Sequence, residues 1–385
     1  MKKQIVIGIL LLFLLNQFNY YFDTFAISSE NPWYFEQIGI YGAWKLTNGS
    51  RDITIAVIDS GIDFSHPELQ DVVWINEDEI ANNSIDDDNN GYIDDIHGWD
   101  FVSNDSIPGP EEDDPIHWHA TFIAGIIASP VNDEGIAGVA PNVTIMDIRV
   151  LKSDNYQGTT LKGLGDAIRY AVDNGADVIN LSLQYYSESE DYHDDIVYAI
   201  ENNVAIVSIT GNSWLSYGGG KEIMSYPGAY EEVIAVGATN YDKEKADYSN
   251  YGEWTELVAP VGDEGTGIKG PYLSEGYMFG WGTSFAAPQV SGIIALMKSL
   301  NNTISVDEIR NIFHETATDL GDVGKDNYFG YGLINATAAL NKLMGIEDEQ
   351  IPIPSKPIYP AFIIGGIGLI VATVVIILIT QKKKS

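Results

Sequence analysis

Four kinds of residue in this chain stand where acyl chemistry would need them: a serine, a histidine, an aspartate and an asparagine. In "FGWGTSFAAPQVSG" (279–292), Ser284 sits at the lip of a cramped turn of Gly, Thr, Ser and Ala, with Pro288 a turn inside and an apolar run from Ile293 to Met297 beyond. Small residues let backbone crowd a site, and a helix N-terminus aims unpaired N–H groups and the positive dipole end at its occupant. That suits a developing anion, although an N-capping serine uses the same pattern. Asp59 closes the apolar run "ITIAVID" (53–59), and in an α/β sheet chemistry gathers beyond the carboxyl ends of strands. In "HWHATFIAGIIAS" (117–129), a histidine opens a helix of small residues much as Ser284 does, and Asn212 follows the run "VAIVSIT" (204–210) with an amide able to donate to an oxyanion. Singly, each has a plainer role as a cap, a turn or a satisfied surface group.

A second cluster carries a different chemistry. In "DDDNNGYIDD" (86–95), Asp86, Asp88 and Asn90 alternate before Gly91, and Asp94 and Asp95 follow. Oxygen ligands at this spacing resemble the first half of an EF-hand loop and favour Ca²⁺ over Zn²⁺, but position twelve is His97 rather than Glu, so no complete EF-hand is present. A structural calcium ion is expected here.

The elements that must position these groups read as α/β. Near-continuous apolar runs at 53–59, 143–151, 176–183, 204–210 and 232–240 have the pattern of strands buried on both faces. Between them lie helical patterns at 160–175, with Leu161, Leu164, Ile168 and Val172 at helical spacing before Gly175, and at 194–203, after Ser284, 305–317 and 334–344. The alternation predicts a predominantly parallel sheet flanked by helices on both faces.

Taken together, Asp59, a histidine, Asn212 and Ser284 in that chain order resemble the subtilisin-like serine proteases. The resemblance runs from about Trp33 to Leu343 and includes "VIDSGID", "TFIAGIIA", "GVAPNVTI", "VINLSL", "YPGAYEEVIAVGATN" and "GTSFAAPQVSG". It implies a subtilisin-like α/β fold and an Asp-His-Ser triad: Ser284 as nucleophile, His119 as general base and acid, and Asp59 holding the imidazolium. Asn212 and the Ser284 N–H would bind the oxyanion. The resemblance selects His119 over His117, because the family's Ala-Gly pair falls five and six residues after the catalytic histidine, where Ala124-Gly125 stand. The chain departs from the pattern at Ala120, Phe122, Gln184 and Trp281, where Gly, His, Gly and Asn are usual. Leu183, Gln184 and Ser225 would line the substrate cleft. Bulk at Gln184 and Ser225 predicts a narrow pocket preferring medium apolar residues such as Leu or Met.

With 385 residues and 45% hydrophobic composition the chain is globular, and 55 Asp plus Glu against 20 Lys plus Arg give a net charge of −35, which excludes nucleic acid as a partner. It has no cysteine, so an exported form relies on core packing or bound metal instead of disulfides. Residues 1–26 read as a signal peptide, with Lys2 and Lys3 before the apolar run Ile5 to Leu15 and a small residue, Ala26, at its end. The catalytic domain is expected over 27–346, an acidic Pro-rich stalk over 347–360, a transmembrane helix over 361–380 and a basic cytoplasmic tail over 381–385. The positive-inside rule then puts the catalytic domain outside a cell membrane, with polypeptides as substrates and the lipid bilayer as a partner. The short stretch from Ile27 to Glu30 leads to the expectation of folding without a separate pro-domain. The rival to an enzyme is a surface protein that keeps the fold without turnover, and the intact quartet argues against it.

Overall fold

A computed structural model describes residues 32–346, apart from 112–113, 115, 133–134, 154–158 and 214–217. The expected signal peptide, stalk, transmembrane helix and tail lie outside the described residues. Among the described residues, no helix is long and apolar enough to cross a membrane.

The strands are β1 (Thr54–Asp59), β2 (Gly98–Asp100), β3 (Thr144–Arg149), β4 (Leu151–Ser153), β5 (Thr159–Leu161), β6 (Val178–Leu181), β7 (Ala205–Ile209), β8 (Ile234–Thr239), β9 (Leu257–Pro260), β10 (Ile268–Pro271) and β11 (Tyr277–Gly280). Seven of them form one sheet in the order β2-β3-β1-β6-β7-β8-β9, every neighbour parallel. The run of apolar residues in each central strand has its physical reason here. On β1, Ile55 and Val57 join one core with the helices His119–Ala128 and Ala287–Leu300, while Ala56 and Ile58 join a second with the helices Leu164–Asp173 and His193–Glu201. Both faces of the sheet are thus buried under helices, so no polar alternation survives in the sequence.

One reading of local structure needs correction. The helix expected over 160–175 begins only at Leu164, because Gly163 takes a left-handed φ of 67° and breaks the chain there. Leu161 belongs instead to β5, which pairs antiparallel with β4. The helix expected after Ser284 is present. Thr283–Phe285 form a turn of 3₁₀-helix, and the α-helix begins at Ala287 with Pro288 in its first turn, where its missing N–H has no intrahelical role.

Candidate active site

The site lies at the carboxyl ends of the central strands. Asp59 is the last residue of β1 and is wholly buried. Its Oδ1 accepts the Ser60 N–H at 2.7 Å and meets His119 Nδ1 at 2.8 Å. His119 is the first residue of its helix, and the next N–H, from Ala120, donates to Ser60 Oγ at 3.1 Å, tying the helix start to the end of β1. The small residues of "HATFIAGIIA" allow this helix to sit in the core with Ala120 through Ala128 buried. Phe122, standing where the family usually has histidine, packs its ring on Phe285 with centroids 4.3 Å apart. His117 lies in the turn that leads into the helix, its ring centroid 6.5 Å from that of Tyr272.

Ser284 lies in the 3₁₀ turn, and a buried chain of hydrogen bonds anchors that turn to the sheet. Ser291 Oγ donates to Asn180 Oδ1, Asn180 Nδ2 donates to Ser182 Oγ, and Ser182 Oγ donates to the Ser284 carbonyl, at 3.0, 3.0 and 2.8 Å. Asn180 is therefore a core residue. The Ser284 hydroxyl itself is turned toward the Ser182 carbonyl at 3.4 Å.

Asn212 follows β7, and its carboxamide is oriented unambiguously. Its Oδ1 accepts both the Thr283 N–H at 2.8 Å and the Thr283 hydroxyl at 2.9 Å. A main-chain N–H can only donate, so the oxygen must face Thr283 and the NH₂ group must face away. His119, Asn212 and Ser284 together line two cavities, one of about 590 Å³ walled by Trp118, Trp281 and Phe285, the other of about 480 Å³ walled by Leu183, Gln184 and Ile209. The three residues that carry an imidazole, a hydroxyl and an amide thus border the same two cavities, with a buried carboxylate behind the imidazole.

The remaining cleft residues separate. Leu183 is buried in the second core, and Gln184 lays its carboxamide along the main chain of Asn212. Ser225 is wholly buried, its Oγ without a partner among the described residues. A residue that sequence reasoning passed over is Asp147 on β3, whose Oδ2 accepts the Ile62 N–H at 2.9 Å. Burial, reinforced by the nearby carboxylates Asp100 and Asp59, pushes its acid well above the usual range and favours the neutral form.

In the acidic loop, Glu79 joins two of the residues that the spacing singles out. Glu79, Asp86 and Asp88 each offer a carboxylate oxygen, all within 4.8 Å of one another. Asn90 Nδ2 donates to Asp88 and Asp95, and its Oδ1 accepts the Tyr92 N–H. Asp94 accepts the N–H groups of Asn83 and Ser84, and Asp95 is buried, bonded to Tyr170 Oη at 2.6 Å. Burial raises the Asp95 acid, against the hydrogen bonds from Tyr170, Asn90 and Asn76 that lower it. Glu79 was missed because it precedes the patterned stretch; the only signal was the acidic run "EDE" at 77–79.

Comparison with known proteins matches this arrangement to one family. The model of the subtilase family matches residues 50–332. The chain is 37% identical over 300 residues to a thermophilic serine proteinase of Bacillus sp. (strain AK1), covering 77% of this chain and 64% of that protein. It is 34% identical to the minor extracellular protease Epr of Bacillus subtilis (strain 168), covering 81% of this chain but 42% of the relative. With subtilisin DY of Bacillus licheniformis it shares 34% identity over 75% of this chain and 90% of the relative. The chain thus spans less than two thirds of the length of the first two relatives and nearly all of the third. Its parallel sheet, its carboxylate-imidazole pair and these matches together show that the chain belongs to the subtilase family.

Proposed function

We propose that this chain is a serine endopeptidase that hydrolyses peptide bonds of polypeptides through an acyl-enzyme. The observation that carries the reading is the buried Asp59 carboxylate held 2.8 Å from His119 Nδ1, with the imidazole opening onto the cavities that Ser284 and Asn212 also line. A carboxylate there fixes the tautomer in which Nε2 is free to take a proton. In the working sequence, Ser284 Oγ rotates away from the Ser182 carbonyl and attacks the scissile carbonyl carbon while its proton passes to His119 Nε2. Asp59 stabilises the imidazolium that results. The tetrahedral oxyanion is met by Asn212 Nδ2 and the Ser284 N–H, donors set in place before reaction. His119 then gives its proton to the leaving amine, and water, activated by the same imidazole, releases the acid. The test is digestion of an unfolded protein by the full chain, with products read by mass spectrometry and Ser284→Ala as control. New termini that persist in Ser284→Ala would refute the reading.

The calcium expectation continues as a proposal with a revised ligand set. Glu79, Asp86 and Asp88 would hold the ion, hard oxygen donors converging at a spacing that a Ca²⁺ ion can bridge. It would supply stability rather than take part in the reaction. Loop N–H groups already bond the same carboxylates, including those of Asp87 to Glu79 and Gly91 to Asp86, so the donor set is pre-formed. The cleft assignment of Leu183, Gln184 and Ser225 and the preference for medium apolar residues stand with it as proposals. So does an outward-facing domain anchored in a cell membrane, supported by the uncharged run 361–379 followed by "QKKKS". Carbonate extraction of membranes with protease accessibility from outside tests that placement.

A further inference from the structure

Gln184 and Asn212 lie three residues beyond the ends of the neighbouring strands β6 and β7. β6 and β7 run parallel with Leu181 opposite Ser208, and the segments that leave them bring Gln184 beside Gly211. Gly211 has a φ of 97° and no side chain; a Cβ there would stand 2.9 Å from Gln184 Oε1 and 2.4 Å from Ser225 Oγ. The glycine therefore leaves the passage through which the Gln184 carboxamide reaches across to the next residue.

At Asn212 it makes contacts of a specific kind. Gln184 Oε1 accepts the Asn212 N–H at 2.6 Å. Its Nε2 donates to Tyr186 Oη at 2.8 Å and, more weakly, to the Asn212 carbonyl at 3.4 Å. Tyr186 Oη passes a hydrogen bond on to that same carbonyl at 3.2 Å. Both main-chain polar groups of Asn212 are thus held from one side, while its side-chain oxygen is held by Thr283 from the other.

From this we infer that Gln184, with Tyr186, is a positioning residue for the oxyanion donor: it fixes the Asn212 peptide so that Nδ2 points at the place where charge develops. The inference rests on the peptidase reading and assigns Gln184 more than bulk in a pocket. An oxyanion donor acts by being in place before the charge forms, so whatever holds the donor still acts on the chemical step and not on substrate binding. A side chain that only narrowed the pocket would act on binding and on the size of residue accepted.

The experiment compares the full chain with Gln184→Met, which keeps the length and volume of the side chain but none of its three hydrogen bonds, and with Tyr186→Phe, which removes one hydroxyl from a side chain 55% exposed. Each is also made in an Asn212→Ala background, and kcat and KM are measured on one peptide substrate. A net hydrogen bond corresponds to a factor of about ten or less, so kcat should fall about tenfold in Gln184→Met and about threefold in Tyr186→Phe, with KM within about twofold. In the Asn212→Ala background both losses should shrink to within about twofold, because the group being positioned is gone. An unchanged kcat in Gln184→Met, or an equal loss in both backgrounds, would overturn the inference. Hydrogen exchange at the Asn212 N–H in Ser284→Ala reads the clamp without turnover. Faster exchange on adding Gln184→Met supports the clamp, and unchanged exchange overturns it. A parent chain that fails to hydrolyse peptide would sink the peptidase reading instead.

Discussion

Replacing Asn212 by alanine tests the oxyanion donor. The structure sets what is lost. The Asn212 oxygen is engaged by the Thr283 N–H and hydroxyl at 2.8 and 2.9 Å, so the NH₂ group is the part that faces the cavity. Alanine removes that donor together with the oxygen that holds Thr283, next to Ser284, while the Asp59–His119 pair and the Ser291–Asn180–Ser182 chain make no bond to Asn212. One oxyanion donor is worth about 2.7–4 kcal/mol, or about 10²–10³ in kcat, a range set by a subtilisin. The donor acts on charge that exists only in the transition state, so KM should stay within about threefold. Thr283→Val is the graded companion: it deletes one of the two bonds that orient the amide and should cost about tenfold or less. The assay is steady-state hydrolysis of a peptide amide, with active-site titration to count competent enzyme and a melting curve to confirm folding. A kcat within twofold of the parent, or a loss carried wholly by KM, would refute the assignment of Asn212.

The other expectations concern stability and are best read in Ser284→Ala, where self-digestion cannot intrude. Asn180→Leu removes the middle of the buried Ser291–Asn180–Ser182 chain and should destabilise by about 1–3 kcal/mol, read as a lower denaturant midpoint; an unchanged midpoint would show that the chain is incidental. Chelation should lower the melting temperature, since a ligand at a hundredfold excess over Kd stabilises by about 2.7 kcal/mol; Glu79→Ala and Asp88→Ala should mimic EDTA, and coincident curves would dismiss the site. Burial raises the Glu256 acid, but hydrogen bonds from His314 and Arg310 outweigh it and hold the carboxyl below its ordinary 4.5. A folded-state pKa below the unfolded one contributes stability above the unfolded value that is lost as pH falls through the folded one. Acidification from pH 6 to 3 should therefore narrow the stability gap between the parent and Glu256→Gln, and a gap that widens instead would contradict the sign.

What the sequence made legible follows from the physics of each part. The five apolar runs mark strands buried on both faces, and each contains a strand of the sheet, because a strand covered by helices on either side needs apolar residues at successive positions. β2 and β9 were not foreseen: they are three and four residues long, too short to show a period against their surroundings. The hairpin of β10 and β11 is hidden for a related reason, its residues mixing glycine, proline and exposed aromatics without alternation. A helix start was misjudged where backbone conformation overrode apolar spacing, at Gly163. Asp59 and His119 could be paired in advance only through the family's pattern, since sixty residues separate them. Glu79, Asp147 and the reach of Gln184 to Asn212 depend on which loops and strands meet, and local spacing does not encode that.

The central claim is that Asp59, His119 and Ser284 act as one unit with Ser284 as nucleophile. The most direct measurement is stoichiometric labelling of the full chain by a fluorophosphonate, with the adduct located by mass spectrometry. The account predicts one adduct per chain, on Ser284, formed at near-parent rate in His117→Ala, slowed by orders of magnitude in His119→Ala and absent in Ser284→Ala. An adduct on another residue, or fast labelling of His119→Ala alongside an inert His117→Ala, would contradict it.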